Sequence, residues 1–428
     1  MVKEYQTFYF LNNFFDEKSG KAEFNFSLDN RLFFKEIIDF HRAGSRPKAL
    51  DDLHIALGIS YFKAYLPENI VLREIDLSDE QALFWRDFYV KGLGEFSYRN
   101  NVDVSFIHFP SRNIKKYPVV TKALDKKIVI PVGGGKDSTV VIEAVKNSAL
   151  GKNLRTFSVG FPRPIKETVE KAGLEHILIE RAIDGNLRTL SDALNGHVPI
   201  SGIIAFILLC AADLYDFNLV LMANERSASI GNIGEINHQW SKSLEFEKAF
   251  NGYVHNNITD GFGYVSFLRP LSEIHIAKLF SSLPSYHRIF TSCNKAFKLD
   301  ARKRIDYWCC DCDKCRFVFL ILALFMKRDY LISIFGKNML NDEKNIRGYE
   351  ELVGLSGIKP FECVGEISEC RAAMVNLSSE WKDDVVVKSI RERLPDDISL
   401  QPHFSVSDEN CLDDELRGVL NAFIAAEK

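Results

Sequence analysis

Ile128-Val129-Ile130-Pro131-Val132-Gly133-Gly134-Gly135-Lys136-Asp137-Ser138 is the stretch that decides the fold. A short apolar run meets three glycines, and a helical pattern follows in which Val140, Val141, Ala144 and Val145 share one face. Outward from it, Arg155–Val159 reads as a strand, Ile165–Ala172 as a helix and His176–Ile179 as a strand. Leu187–Leu194 and Ile203–Leu214 read as helical, and Asn218–Met222 as a further strand. Strand and helix alternating over short connections predict an α/β fold, a doubly wound, mostly parallel sheet covered on both faces. In such sheets ligands bind beyond the carboxyl ends of the strands. This domain is expected over 126–335. Before it, 1–125 reads as an N-terminal α+β domain, with alternating Phe8-Tyr9-Phe10 and Glu23-Phe24-Asn25-Phe26 and helical stretches near Leu53–Tyr65 and Glu80–Tyr89. After it, 336–428 reads as a C-terminal helical extension without a motif.

Three glycines let successive N–H groups of Gly133, Gly134 and Gly135 point into one concavity suited to phosphate oxygens. The helix that follows adds its N-terminal dipole. Lys136 can supply charge, Ser138 a hydroxyl, and Asp137 a carboxylate suited to Mg²⁺. The loop is not a Walker A motif, because Asp137 follows Lys136 and Ile130 stands where the first glycine belongs. Nor is it a dinucleotide fingerprint, since Ser138 fills the sixth position. The plain alternative is a tight turn capped by Asp137 or Ser138. The strand context and the Lys-Asp-Ser ending favour phosphate. The loop resembles that of the PP-loop ATP pyrophosphatases (the adenine nucleotide α-hydrolase-like fold), Ser-Gly-Gly-any-Asp-Ser, with Gly133 in place of the serine. That resemblance implies that ATP is cut between its α and β phosphates and AMP joined to a substrate oxygen. Pyrophosphate is then held in the loop, and Phe157, Ser158 and Val159 lie where adenine is contacted.

Five of the nine cysteines crowd between Cys293 and Cys315. Cys309, Cys312 and Cys315 form a Cys-x2-Cys-x2-Cys run, and Cys293 offers a fourth thiol. Four thiolates so spaced suit a closed tetrahedral Zn²⁺ site of structural type, with Cys310 left over. An iron–sulfur cluster and metal-free core cysteines are the alternatives. Similar zinc spacing occurs in the PP-loop enzymes that make 7-cyano-7-deazaguanine.

Ala223-Asn224-Glu225-Arg226-Ser227-Ala228-Ser229, continuing through Gly231-Asn232 to Asn237-His238-Gln239-Trp240-Ser241-Lys242-Ser243, is dense in donors and acceptors. A loop of this kind at a sheet mouth reads as a binding element, against the ordinary alternative of a surface loop. Asn195-Gly196-His197-Val198-Pro199 offers His197, which could equally be a core histidine. Phe267-Leu268-Arg269-Pro270 offers Arg269 to an anion, or simply to the surface. With 54 Lys and Arg against 58 acids and a net charge of −4, nucleic acid is not an expected partner. Gly202–Leu209 and Phe317–Met326 are far shorter than the ~20 residues of a bilayer span and read as buried helices. The N-terminal residues have no secretory pattern, so a cytoplasmic chain without a membrane partner is expected.

Here a narrower likeness enters. The segments beginning at Asn195, Asn224, Asn237, Leu268 and Cys315 resemble the UDP-N-acetylmuramoyl-L-alanyl-L-glutamate epimerases of bacterial peptidoglycan synthesis. Gly58-Ile59-Ser60-Tyr61-Phe62-Lys63-Ala64 and Gly92-Leu93-Gly94-Glu95-Phe96-Ser97-Tyr98-Arg99-Asn100 fit the same family, as does the form of the glycine loop. Cys310 departs, standing where glycine is expected. The resemblance implies inversion of the terminal glutamate of UDP-MurNAc-L-Ala-L-Glu, with ATP and Mg²⁺ converting its carboxylate into an acyl-adenylate so that the α-proton can leave. On that reading Arg226, Lys242 and Arg269 are candidates to stabilise developing negative charge. His197, Glu225, His238 and Lys242 are candidates for acid–base work. Lys136 and Asp137 serve the nucleotide, Asn224, Asn237 and Arg269 bind substrate, and Arg99 reaches the nucleotide-sugar end with Tyr61, Lys63 and Tyr98. A PP-loop enzyme acting on a nucleobase, of the 7-cyano-7-deazaguanine synthase or tRNA-modifying kind, and a non-catalytic ATP sensor are the other readings.

Overall fold

The computed structural model describes residues 4–114, 125–231, 236–298, 301–357 and 359–426; Asn232 of the polar stretch lies outside them. In chain order come β1 (Thr7–Asp16), β2 (Lys21–Leu28), β3 (Leu32–Asp39), α1 (Leu50–Phe62), β4 (Asn69–Leu72), α2 (Asp79–Gly92) and α3 (Gly94–Asn100). Next are β5 (Ile128–Pro131), α4 (Lys136–Lys146), β6 (Leu154–Val159), α5 (Arg163–Ala172), β7 (His176–Ala182), α6 (Ile200–Tyr215) and β8 (Leu219–Met222). Then follow α7 (Leu244–Asn257), β9 (Gly263–Ser266), α8 (Glu273–Ser281), α9 (Asp313–Leu322) and α10 (Arg328–Phe335). The chain closes with α11 (Ile346–Leu352), α12 (Ile367–Val375), α13 (Val385–Arg391) and α14 (Asp414–Ala426). The class is mixed α/β.

Packing divides the chain into two compact, interleaved units. The first holds Met1–Ile128, Ile177–Val220 and Ile236–Tyr264; the second holds Val129–His176, Leu221–Glu235 and Val265–Lys428. In the first, strand order is β4-β1-β2-β3-β7. The β1–β2, β2–β3 and β3–β7 pairs are antiparallel, and β1–β4 is parallel. Alternation in the strand sequences buries Phe8, Phe10, Phe24 and Phe26 on one face. α1 covers that face: Tyr61 stacks on Phe26 with ring centres 4.8 Å apart. Gly58 is needed there, since a Cβ would lie 2.3 Å from the Phe10 ring. Apolar nearly all round, α1 is buried along almost its whole length, as a helix also packed by α6 must be.

In the second unit the order is β6-β5-β8-β9. α4 packs on α8, α8 on α9, and α9 on α11 and α12, while α14 returns to α4. The segment after Phe335 is therefore part of this unit's core.

Two expected helices differ. Leu187–Leu194 is no α-helix: one 3-10 turn, Gly185–Arg188, is followed by irregular chain. None of these residues is buried, so no core holds their leucine face as a helix. Local polar bonds take over instead, Asp184 accepting from the Asn186 N–H at 2.8 Å and Tyr65 donating to Asp192 at 2.9 Å. The helix expected over Phe317–Met326 starts earlier, at Asp313, whose carboxylate suits the first turn. It stops at Leu322, whose carbonyl accepts from both Phe325 and Met326 N–H groups as the turn tightens. Among the described residues no helix is long and apolar enough to cross a membrane.

Candidate functional site

Candidate residues gather in two places, one in each unit. In the second, β5 runs into the glycine loop and Val132 N–H donates to Phe157 O at 2.8 Å. Gly134 adopts φ +74°, a conformation that favours glycine, and its carbonyl accepts from Thr291 N–H at 2.9 Å. A Cβ on Gly135 would come within 2.9 Å of Ser292 Oγ, so the loop rests on the Thr291–Ser292 segment. Gly133 has open space around it. The helix α4 begins at Lys136 with Gly135 as its N-cap. Neither Asp137 nor Ser138 caps it, because both lie inside the first turn; Ser138 and Thr139 hydroxyls instead donate back to Gly135 O at 3.3 and 3.1 Å. First-turn N–H groups without a side-chain cap are what an anion needs.

Lys136 is buried, and its ammonium contacts the carboxylates of Asp137 and Glu273. Burial opposes its charge, but the two carboxylates outweigh burial and hold its pKa above the usual lysine range. Sequence reasoning missed Glu273, although its signal was present: Ser272 precedes it as a cap, accepting from His275 N–H at 3.1 Å. Glu369 of α12 accepts from the Glu273 and Ile274 N–H groups at 2.7 and 3.4 Å. The C-terminal extension thus fixes the helix that presents Glu273.

The polar stretch after β8 is knitted inward. Arg269 is buried rather than on the surface, donating from Nη1 to Glu225 O at 2.6 Å and Ser229 Oγ at 3.1 Å, and from Nη2 to Ser266 Oγ at 3.2 Å. Asn224 donates to the same Ser266 hydroxyl at 3.0 Å. Glu225 is buried, its carboxylate accepting from Ser227 Oγ at 3.1 Å. Arg226 donates to Pro270 O and Ser405 O, each at 2.6 Å. At the end of β6, Phe157 is fully buried and Val159 half-buried. Ser158 donates to Gly160 O at 2.8 Å and lies 3.0 Å from His176 Nε2.

Cys293, Cys309, Cys312 and Cys315 converge, their sulfurs within 4.8 Å of one another. Four half-buried or buried thiols at this separation fit a tetrahedral metal of the zinc class. The donor set leads back to the loop: Cys293 N–H donates to Thr291 Oγ1 at 3.1 Å, beside the Thr291–Gly134 bond. Cys310 turns away, at φ +53°, with its sulfur on Phe335 O at 3.3 Å. That left-handed backbone explains why glycine is the residue expected there.

The first unit brings together residues that are distant in sequence. Glu95 of α3 is buried; Arg99 Nε reaches its Oε1 at 2.5 Å. His238 Nδ1 contacts Glu95 Oε2, and His197 Nδ1 lies 3.5 Å from the same oxygen. The two imidazole centres are 4.5 Å apart. The loop carrying His197 is held by Asn100, which donates to Asn195 O at 3.0 Å, and by the buried Lys63, 3.4 Å from Leu194 O. Lys242 lies 3.4 Å from Gln239 Oε1, and Asn237 Oδ1 accepts from Gln239 N–H at 2.8 Å. Burial works against the charge of Glu95, yet the bond from His238 and the neighbouring His197 and Arg99 keep its pKa below the usual range. Burial, aided by His238, Lys242 and Arg99 and opposed by Glu95, lowers His197 to about 4, so its imidazole is neutral at ordinary pH. Glu95 was also missed from sequence; its only local signal is an acid four residues before Arg99.

The model of the MurL N-terminal domain matches residues 1–267 and that of the MurL C-terminal domain matches 289–403. A relative from Xanthomonas oryzae pv. oryzae, named UDP-N-acetyl-alpha-D-muramoyl-L-alanyl-L-glutamate epimerase, is 36% identical over 94% of each chain. Relatives of the same name from a Micromonospora species and from Salinispora tropica are each 37% identical over 92% of this chain, covering 92% and 90% of their own. No solved structure matches the chain significantly. Spanned by both family models and more than a third identical to these relatives along nearly its whole length, the chain belongs to the MurL family.

Proposed function

We propose that this chain inverts the α-carbon of the terminal L-glutamate of UDP-MurNAc-L-Ala-L-Glu, giving the D-glutamyl epimer for peptidoglycan precursors, by way of an ATP-derived acyl-adenylate. The observation that carries the reading is the likeness, over 94% of the chain, to a protein named for that epimerisation. The adenylate step is supported by chemistry. An α-proton beside an ionised carboxylate is hard to remove, because that group accepts further negative charge poorly. Joining AMP to it neutralises the charge and makes the carbonyl an electron sink, and water then releases AMP. The uncapped first turn of α4 and the open face of Gly133 suit the departing pyrophosphate.

Asp137 and Glu273, which both contact the Lys136 ammonium, are the carboxylates that would hold Mg²⁺ with the phosphates. Mg²⁺ would screen charge on the transferring group. Val159 and Ser158 at the end of β6 would border adenine, with the buried Phe157 behind them. Zn²⁺ on the four cysteines would be structural, keeping Thr291 and Ser292 against the loop. Arg226 and Arg269 are committed to carbonyl and hydroxyl partners, so their part is to shape the Glu225 loop around the substrate. Full-length chain incubated with ATP, Mg²⁺ and UDP-MurNAc-L-Ala-L-Glu is expected to release AMP, pyrophosphate and, after hydrolysis, D-glutamate. D-glutamate without AMP would remove the adenylate from the reaction, and neither product would sink the reading.

A further inference from the structure

Three segments of the first unit that are far apart in sequence meet at one carboxylate. Glu95 Oε1 is taken by Arg99, while Oε2 is addressed by Nδ1 of both His238 and His197. An ionised carboxylate only accepts hydrogen bonds, so a neutral His238 meets it through Nδ1–H, and Nε2 is then its basic nitrogen.

Inverting a carbon requires a proton to leave one face and another to arrive on the opposite face. Groups serving the two faces stand on either side of the carbon, each ~3 Å away, with ring centres further apart still. His197 and His238 have ring centres 4.5 Å apart. No carbon with its substituents fits between them. We infer that Glu95, His197 and His238 form one proton-handling group serving a single face of the glutamate α-carbon, with the other face served by a different residue. This rests on the epimerase reading above.

In the step it performs, the Cα–H bond breaks, the proton passes to His238 Nε2, and the electron pair enters the adjoining activated carboxyl group. The carbanionic carbon takes a proton on its other face from the second group, so the charge and atom balance is closed. The imidazolium formed on His238 is stabilised by Glu95, which is a positioning residue, not a proton carrier. His197, neutral beside it, avoids placing a second cation there. Among the described residues, His238, Glu95, Lys242 and Arg99 face His197, and Glu95 and His197 face His238.

The test uses the full chain with substrate deuterated at the glutamate α-carbon, prepared as both the L and D epimers, and follows deuterium wash-out together with AMP release. His238→Asn is expected to lower wash-out from one epimer by ~10²-fold or more, and His197→Asn to lower wash-out from that same epimer by less, both sparing the other epimer and AMP release. Losses falling on opposite epimers, wash-out undiminished in both variants, or wash-out and AMP release lost together would overturn the inference. Absence of AMP in the unsubstituted chain would fail the adenylate reading alone, since wash-out still reports on the histidines. Should a histidine variant not fold, Glu95→Gln serves. Removing its negative charge lowers the histidine pKa, so the acidic limb of kcat/KM should move to lower pH with Tm nearly unchanged. An unmoved limb would count against Glu95 as the positioning group. A metal ion found on the purified chain and lost in Glu95→Gln would show a metal site instead and overturn the proton-handling role.

Discussion

The glycine loop of the second unit and the histidine cluster of the first are built on opposite plans. The loop is contiguous: six residues, Gly133 to Ser138, carry it, and what they offer is mainly backbone N–H. The cluster takes Glu95 and Arg99 from one helix, His197 from a loop and His238 from another, and what it offers is side-chain nitrogen and oxygen. A backbone site depends on local conformation, which glycine and a helix start dictate. A side-chain site depends on chain segments arriving together, which the packing of a whole core dictates. The first should tolerate distant changes and fail to local ones; the second should respond to any change that moves a supporting segment.

The largest effect expected on the loop side is Asp137→Ala. It removes the proposed Mg²⁺ ligand and one partner of Lys136, and AMP formation should fall by ~10²–10³-fold or more with the fold retained. Near-normal AMP release with intact circular dichroism would break the loop's side of the contrast. Cys312→Ser comes next: bound zinc should drop on elemental analysis, and nucleotide affinity should weaken with it, because Thr291 and Ser292 brace the loop beside Cys293. Unchanged metal content would take Cys312 out of the donor set.

Arg269→Ala tests the knitting of the polar loop. It strips hydrogen bonds from Glu225 O, Ser229 Oγ and Ser266 Oγ, and stability should fall by roughly 2–3 kcal/mol, read as a lowered denaturant midpoint. A midpoint unchanged from the parent chain would mean those partners find water instead. The smallest effect concerns acid. His197 sits at about 4, below its unfolded value. The unfolded chain therefore binds its proton first, so stability is full above ~6.5 and is lost as pH falls towards 4. His197→Asn should flatten that decline by on the order of 2 kcal/mol, measured as Tm against pH. An equally steep decline would assign the acid sensitivity to other buried histidines such as His54, also at about 4.

Legibility in the sequence followed the same division. The strand, glycine turn and helix at Ile128–Lys146 were readable because apolar period, glycine run and helix start agree locally. The four cysteines were readable because metal spacing is itself a sequence pattern. His197 and His238 were nameable as separate candidates, but nothing local joined them, and Glu95 went unnoticed because an acid on a short helix is ordinary. Leu187–Leu194 failed for a related reason: its leucines are spaced like a helix, yet no core reaches them to bury that face.

By itself, the sequence determined the backbone chemistry: a glycine turn and uncapped helix start at α4, a thiol set of metal spacing, and strands whose phenylalanines alternate towards α1. Each follows from forces acting over a few residues, namely φ freedom, periodicity and ligand spacing. Tertiary structure alone decided that Glu273 and Lys136 pair, that Glu369 from the C-terminal extension steadies α8, and that two histidines share one carboxylate oxygen. Those outcomes depend on which buried faces meet, and burial is a property of the assembled core rather than of any segment within it.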